Sequence, residues 1–251
     1  MTDEEELMLR HLKDLADKSY ANNHYTFTEF LSLADQSLYY EHERDLRFAG
    51  VKIFGGAQGT ERNIIRFGDP ESLGYEEEFP ISIISITPIS EKFADDLTHR
   101  DFLGALMNLG IKREVLGDIF IKDNKAYLFA LNKMAGFITD NLTKVRHTTC
   151  LAKEITELPA LAAGEGKEKL IQVASPRIDG VVAKVYNLSR GDAAEACRAR
   201  KVFLNGRLTE NVSAMLKSGD TVTVRGFGKF ILKNEGGLSR KGKTNLNVEV
   251  F

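Results

Sequence analysis

The chain opens with apolar residues at helical spacing. They recur three or four positions apart at Leu9, Leu12, Ala16 and Tyr20. This period predicts an amphipathic helix. Thr26 and Glu29 have the spacing of a capping box and predict the start of a second helix, which continues through Leu38. Two helices are therefore predicted within residues 1 to about 46.

Shorter segments rich in β-branched and aromatic residues follow. Residues 51–54 and 63–67 flank a glycine-rich turn and predict a β-hairpin. The next elements are a strand (81–86), a helix capped by Thr98 and Asp101, a hairpin (118–121 and 126–129), a helix carrying Met134, Phe137, Ile138, Leu142 and Val145, and a strand (148–151). This βαββαβ order is the ferredoxin-like pattern, which RNA-recognition domains also use.

The last third of the chain begins with two predicted helices. Ser175 and Pro176 predict the start of the first, whose apolar flank contains Ile178 and Val182. Ser189 predicts the cap of the second. Residues 202–204 followed by Asn205-Gly206 then predict a tight hairpin, and residues 229–250 a closing hairpin with a basic tip at 240–243.

These patterns predict an α+β protein with three regions. A helical and β-hairpin region spans residues 1–78 and ends at an acidic triplet. A ferredoxin-like, RRM-like middle domain spans 79–174, of which 153–174 is interpreted as a linker with a little strand structure. The C-terminal domain spans 175–251.

Composition narrows the class of protein. No stretch approaches the roughly 18 apolar residues of a membrane span, and residues 1–6 are acidic, unlike the basic start of a signal peptide. A cytoplasmic protein is therefore expected. The two cysteines, Cys150 and Cys197, are far apart in sequence and indicate neither a disulfide framework nor a metal site.

Charge is distributed unevenly along the chain. Residues 177–251 contain 14 Lys and Arg against 7 Asp and Glu, whereas residues 1–176 contain 20 against 29. A basic end on an acidic body is typical of a nucleic-acid contact, although a merely solvated surface would give the same count.

The basic side chains fall on particular helix flanks. Arg177 and Lys184, seven residues apart, return to nearly the same helical angle. Arg190, Arg198 and Lys201 fall within an arc of roughly 80° with small residues between them. The two helix N-termini add a preference for phosphate. This surface is the candidate RNA contact.

A second candidate surface lies in the middle domain. Tyr127 and Phe129 alternate along one strand, so they share a sheet face on which bases could stack. The alternative is that both rings pack in the core beneath the helices.

The C-terminal motifs resemble the S4-like (αL-motif) RNA-binding domain. The matching elements, in order, are Arg177-Ile178-Asp179, Ser189-Arg190 with Ala193, Val202 to Gly206, and Gly219-Asp220. With residues 112–119 of the middle domain and Arg225-Gly226-Phe227-Gly228, the whole chain resembles the bacterial YlmH family of RNA-binding proteins. One departure is Arg200, at a position where the S4-like domain often has glycine.

The resemblance implies a set of functional residues and partners. Arg177, Arg190 and Lys201 would contact RNA phosphates, while Asp179 and Ser189 would organise the helix ends. The full set of candidate RNA-binding residues is Arg177, Lys184, Ser189, Arg190, Arg198, Lys201, Asn205 and Arg207. The implied partners are structured rRNA or tRNA on the large ribosomal subunit, in the rescue or quality control of stalled peptidyl-tRNA complexes.

Two other function classes stay open. S4-like domains also occur on pseudouridine synthases, so the middle domain could hold an RNA-modifying activity. However, His147 and Cys150 are merely close in sequence, which does not indicate a nucleophile pair. The acidic N-terminal region could instead bind a protein, as in a cell-division adaptor. We expect a non-enzymatic RNA-binding protein without a cofactor or metal.

Overall fold

The computed structural model of the protein describes residues 2–159, 166–239 and 242–251. The chain divides into two compact units, residues 1–164 and residues 165–251. Both units combine helices with antiparallel sheets, so the predicted multidomain α+β class is confirmed. Within the described ranges, no helix is both long and apolar enough to cross a bilayer.

The first unit begins with a small helical layer on a three-stranded sheet. Its elements are α1 (Asp3–Asn22), β1 (Thr26–Phe27), α2 (Leu33–Glu41), α3 (Glu43–Leu46), a 3-10 turn (Arg47–Ala49), β2 (Val51–Phe54), β3 (Ile64–Phe67) and α4 (Pro70–Leu73). The strands are antiparallel in the order β1-β3-β2, which confirms the predicted hairpin of β2 and β3. Leu12 and Ala16 of α1 share a buried core with Ile65 and Phe67 of β3.

The predicted capping box of Thr26 and Glu29 is wrong, because this segment begins with strand β1. The Thr28 hydroxyl accepts a hydrogen bond from a backbone N–H of β3 at 2.9 Å. Helix α2 starts later, at a capping box formed by Ser32 and Asp35. Pairing with β3 therefore outweighs a local cap signal of about 1 kcal/mol.

The first unit continues with a five-stranded antiparallel sheet of order β5-β6-β4-β8-β7. Its elements are β4 (Ile81–Pro88), a 3-10 turn (Glu91–Phe93), α5 (His99–Asn108), a 3-10 turn (Arg113–Val115), β5 (Leu116–Lys122), β6 (Lys125–Leu131), α6 (Asn132–Asn141), β7 (Lys144–Val145) and β8 (Thr148–Ile155). Thr98 and Asp101 form the predicted capping box of α5. One assignment is corrected: Val145 belongs to β7, because the Thr143 carbonyl accepts from the Cys150 N–H and so pairs the chain with β8.

The two faces of this sheet have different neighbours. Ile84 and Ile86 are buried in a core that also contains Phe102 of α5 and Ile138 of α6. On the opposite face, Phe129 is covered by residues of the N-terminal region. The sheet is therefore covered by helices on one face and only partly covered on the other.

The second unit contains two helices and a six-stranded antiparallel sheet of order β11-β10-β12-β13-β14-β9. Its elements are β9 (Lys167–Val173), α7 (Ile178–Tyr186), α8 (Arg190–Arg198), β10 (Val202–Leu204), β11 (Arg207–Leu208), β12 (Thr221–Val224), β13 (Gly228–Leu238) and β14 (Thr244–Val250). Val182 of α7, Cys197 of α8 and Phe230 of β13 share its core. Both predicted hairpins, β10–β11 and β13–β14, are present. Arg240 and Lys241 of the predicted basic tip lie outside the described residues.

Strand β9 changes the interpretation of the linker. All of its residues pair with β14, so it is an edge strand of the second unit. Strand β8 also extends to Ile155. The division at 164/165 thus lies before the predicted boundary at 174/175, because long-range pairing with β14 decides where β9 belongs.

Helix α7 begins later than predicted. Its first residue is Ile178 and its N-cap is Arg177, not Ser175. The Pro176 carbonyl accepts from the Leu216 N–H, and the Ile178 N–H donates to the Ala214 carbonyl, both at 2.8 Å. These bonds hold residues 176–178 as an extended bridge.

Helix α8 ends at Arg198, earlier than the predicted arc requires. Arg200 has φ +57°, which turns the chain out of the helix and places Lys201 beyond it. Cys197 is fully buried, so it does not lie on the surface between the basic residues. The prediction that Arg190, Arg198 and Lys201 share one helix face is therefore wrong for Lys201, whereas both arginines belong to α8.

The φ of Arg200 explains why glycine is common at this position, where arginine stands in this chain. A left-handed conformation disfavours a side chain by roughly 1 kcal/mol, most for β-branched residues. We expect Arg200→Gly to change the free energy of unfolding by less than about 1 kcal/mol, since the loss of strain is offset by backbone entropy. Arg200→Val should lower it by more than Arg200→Gly does. Urea unfolding followed by circular dichroism measures both, and the reverse order would contradict the explanation.

Candidate nucleic-acid interface

A buried carboxylate joins the two arginines that the sequence singled out. Asp179 accepts hydrogen bonds from Arg177 (Nε to Oδ1 3.2 Å, Nη2 to Oδ2 3.0 Å) and from Arg190 (Nε to Oδ2 3.1 Å, Nη2 to Oδ1 3.5 Å). The Gly180 N–H donates to the same carboxylate at 2.7 Å. We call Arg177, Asp179 and Arg190 the arginine clamp.

The electrostatics of the clamp leave it positively charged. The Asp179 side chain is 6% exposed, against 34% for Arg177 and 61% for Arg190. Burial by itself would raise the pKa of Asp179, but the hydrogen bonds from both arginines and from Gly180 N–H outweigh it and lower that pKa below its ordinary value. Asp179 is thus ionised at neutral pH, and one carboxylate faces two guanidinium groups.

The clamp lies at the N-terminal ends of both helices. Arg177 is the N-cap of α7, and Arg190 is the first residue of α8. Ser189 caps α8, because its hydroxyl accepts from the Asp192 N–H at 3.0 Å. Each guanidinium has five N–H donors, and Asp179 contacts only Nε and Nη2 of each. Donors on Nη1 and the positive ends of two helices therefore favour an anion here.

A groove of about 280 Å³ runs beside the clamp and is lined by three cationic side chains. Arg190 and Lys184 come from the two helices, and Lys243 comes from the segment before β14. Gly180 and Ala183 give this groove small side chains on its α7 side. Small residues between cations let a phosphate backbone approach closely.

Lys243 is not among the RNA-binding candidates of the sequence, because it lies outside the S4-like motif. The sheet register explains its position: Thr244 pairs with Val173, the last residue of β9, and α7 follows shortly after. The available signal was the basic run at 240–243, but nothing local indicates which strand that hairpin would join.

The remaining sequence candidates do not line this groove. Arg198 is exposed, with Glu195 at 3.9 Å, and Lys201 is exposed beyond the end of α8. The Asn205 side chain donates to Asp220 at 2.8 Å and accepts from the Thr221 N–H at 2.9 Å, so it holds the β10–β11 turn against β12. Arg207, also exposed, follows that turn.

The two aromatic candidates of the middle sheet are not equivalent. Phe129 is fully buried, and the backbone of Gly56, at φ +102°, lies directly against its ring. Phe129 therefore offers no surface to a base, which corrects the prediction for this residue. Tyr127 is half-exposed, and Phe120, its partner across the strands, is half-exposed as well. Phe120 is not among the candidates predicted from the sequence, although the alternation of side chains along β5 could have indicated its position opposite Tyr127.

Both cysteines lie in the interior of the described structure. Cys150 and Cys197 are free and buried, and burial raises the pKa of both thiols. In the part of the chain that the structure describes, no three His, Cys, Asp or Glu side chains cluster as metal ligands would.

Comparison with known proteins adds independent findings. Residues 75–157 match the family described as "Putative RNA-binding domain in YlmH". Ribosome-associated protein quality control protein P2 of Bacillus subtilis is 28% identical over 206 residues, which cover 80% of this chain and 77% of that protein. Small ribosomal subunit protein uS4 of Cupriavidus pinatubonensis is 33% identical over 63 residues, which cover 25% of this chain and 30% of that protein.

Among solved structures, the cell division protein ylmH from Streptococcus pneumoniae has a TM-score of 0.47 and 21% sequence identity, and the match covers 62% of this chain and 93% of that one. The family match and the Bacillus subtilis relative agree with the resemblance found in the sequence. Residues 75–157 therefore match the putative RNA-binding domain described for YlmH, and the chain as a whole is similar to the Bacillus subtilis relative.

Proposed function

We propose that this protein binds structured ribosomal or transfer RNA without catalysing a reaction. The observation that carries the proposal is the arginine clamp beside a groove lined by Lys184, Arg190 and Lys243. A duplex or folded RNA presents closely spaced phosphates, which such fixed cations neutralise with release of counterions. The positive ends of α7 and α8 strengthen the same preference.

We also infer the arrangement of the two RNA-associated domains. The strand order β5-β6-β4-β8, with α5 and α6 packed on one face of the sheet, supports a ferredoxin-like middle domain. In the second unit, the succession α7, α8, β10–β11 hairpin and β12 supports an S4-like module, as does the 63-residue similarity to uS4.

The cellular role that we infer is association with the large ribosomal subunit during quality control of stalled peptidyl-tRNA complexes. The Bacillus subtilis relative is named for ribosome-associated protein quality control, and it aligns with 80% of this chain. The clamp provides a physical basis for such a role, because ribosomal RNA and tRNA are both dense arrays of phosphates.

Sedimentation tests this role directly. When the full chain is mixed with purified large or small subunits at low salt, we expect it to sediment with the large subunit. Raising the salt from about 50 to 200 mM should release it, since each neutralised phosphate contributes to the salt slope. Sedimentation with the small subunit alone, or with neither subunit, would contradict the role.

A further inference from the structure

The middle sheet leaves part of one face open to solvent. The register places Phe120, Tyr127 and Ser85 in a row across β5, β6 and β4, and Lys153 of β8 is the next residue in that row. Phe120, Tyr127 and Ser85 are half-exposed and Lys153 is exposed. Leu151, two residues before Lys153 in β8 and therefore on the same face, is 58% exposed. We call this surface the open face.

On this side of the sheet, every charged residue that has a regular cross-strand partner is a lysine. They are Lys122, Lys125, Lys144 and Lys153, at positions fixed by the pairing of β4 to β8. Lys125 contacts Glu91 from a neighbouring turn at 3.1 Å, and this hydrogen bond raises the pKa of Lys125. The carboxylate of Asp118, in the irregular part of β5, is bound to the backbone N–H groups of Glu61 and Arg62.

The face therefore combines two neighbouring aromatic rings with a surround of cations. Phe120 and Tyr127 are direct cross-strand partners, so their side chains lie side by side. Partly exposed rings on a sheet suit unpaired bases, because every base has a π-face and stacking needs no particular sequence. A base-paired helix would present its backbone and not its bases, so a single strand matches this surface better.

We propose that the open face binds a short stretch of unpaired RNA, with bases stacked on Tyr127 and Phe120 and with Lys144 and Lys153 near its phosphates. The site belongs to the first unit and is separate from the arginine clamp of the second unit. Either site can thus fail in experiment without the other.

The test uses the full chain with Arg177→Gln and Arg190→Gln in the background, so that the clamp contributes little. Binding of a fluorescent ten-nucleotide single-stranded RNA is measured by anisotropy. We expect Tyr127→Ala to weaken binding about tenfold, as the loss of one stacked base does elsewhere. Tyr127→Phe retains the ring and should stay within about twofold. Tyr20→Ala, which removes a 68% exposed tyrosine of α1, should have no effect.

Two results overturn the proposal. One is equal affinity of Tyr127→Ala and its background, and the other is an equal loss for Tyr127→Ala and Tyr127→Phe. If Tyr127→Ala fails to fold, the exposed pair Lys144→Ala and Lys153→Ala decides the question. Removal of two phosphate contacts should lower the salt slope by about 1.4 on a single strand, and an unchanged slope and affinity would likewise reject the site.

Discussion

Replacing Arg177 and Arg190 with glutamine is expected to weaken binding of the full chain to structured ribosomal RNA about 100-fold, since each charge-assisted hydrogen bond contributes roughly 1.5 kcal/mol. The slope of log affinity against log salt should also become less steep by about 2, one for each lost phosphate contact. Fluorescence anisotropy over a salt series measures both quantities. Glutamine keeps some hydrogen-bonding capacity and places no new carboxylate beside Asp179.

A matched control distinguishes the effect of where the two charges lie from the effect of the change in net charge. Arg10→Gln with Lys18→Gln removes the same two charges from α1, where both side chains are exposed and paired with acids of the same helix. Affinity should change less than about twofold, because both charges belong to the other unit and each is already paired with an acid of its own helix. Equal losses in the two double variants would mean that net charge, and not the clamp, governs binding.

Replacing Asp179 with alanine is expected to destabilise the second unit by about 2 kcal/mol. The change leaves the Gly180 N–H and two arginines without their shared acceptor. The loss should be smaller than for a fully buried ion pair, because the Arg190 side chain is largely exposed to solvent. Hydrogen exchange of peptides from α7 and α8 measures the effect locally. RNA affinity should fall as well, although the variant has lost a negative charge. Tighter RNA binding by the variant would contradict the positioning role of Asp179.

Asp179 also makes the unfolding free energy of the second unit depend on pH in the acid range. Because the folded pKa of Asp179 lies below its unfolded value, its stabilisation is fully present above the unfolded pKa of about 4 and is lost as the pH falls through the folded pKa. Between the folded and the unfolded pKa of Asp179, the unfolding free energy of Asp179→Ala should depend less on pH than that of the natural chain. Parallel pH dependences would show that Asp179 does not contribute to this loss.

Much of the fold could be predicted because its signals are local. Ser189 caps α8 where the sequence indicates, and Asn205-Gly206 forms the β10–β11 turn with both residues at positive φ. The alternation of apolar residues likewise predicts most strands of the middle sheet. These features depend on residues within a few positions of one another, so one sequence suffices to find them.

Errors arose where distant pairing outweighs a local signal. Ser175 and Pro176 form a good helix start, yet the bonds to residues 214–216 keep that segment extended. Phe129 is a plausible stacking residue until the N-terminal region covers it through Gly56. Each outcome depends on segments that meet only in the folded chain.

The residues of the candidate site also fall into two groups, those found from local signals and those brought in by contacts between distant segments. Arg177, Lys184 and Arg190 could be found from motif and spacing. The sequence assigned Asp179 only to the helix end, and its contact with Arg190 requires α7 to pack on α8. Lys243 enters the groove through the pairing of β14 with β9.

The central claim is that the clamp and its groove contact ribosomal RNA. Ultraviolet crosslinking of the full chain to ribosomes, followed by mass spectrometry of the peptides attached to RNA, tests it most directly. We predict crosslinks in the peptides that contain Lys184, Arg190 and Lys243, and their loss in the Arg177→Gln, Arg190→Gln variant. Ribosomal RNA crosslinks that avoid these peptides and persist in the variant would contradict the claim.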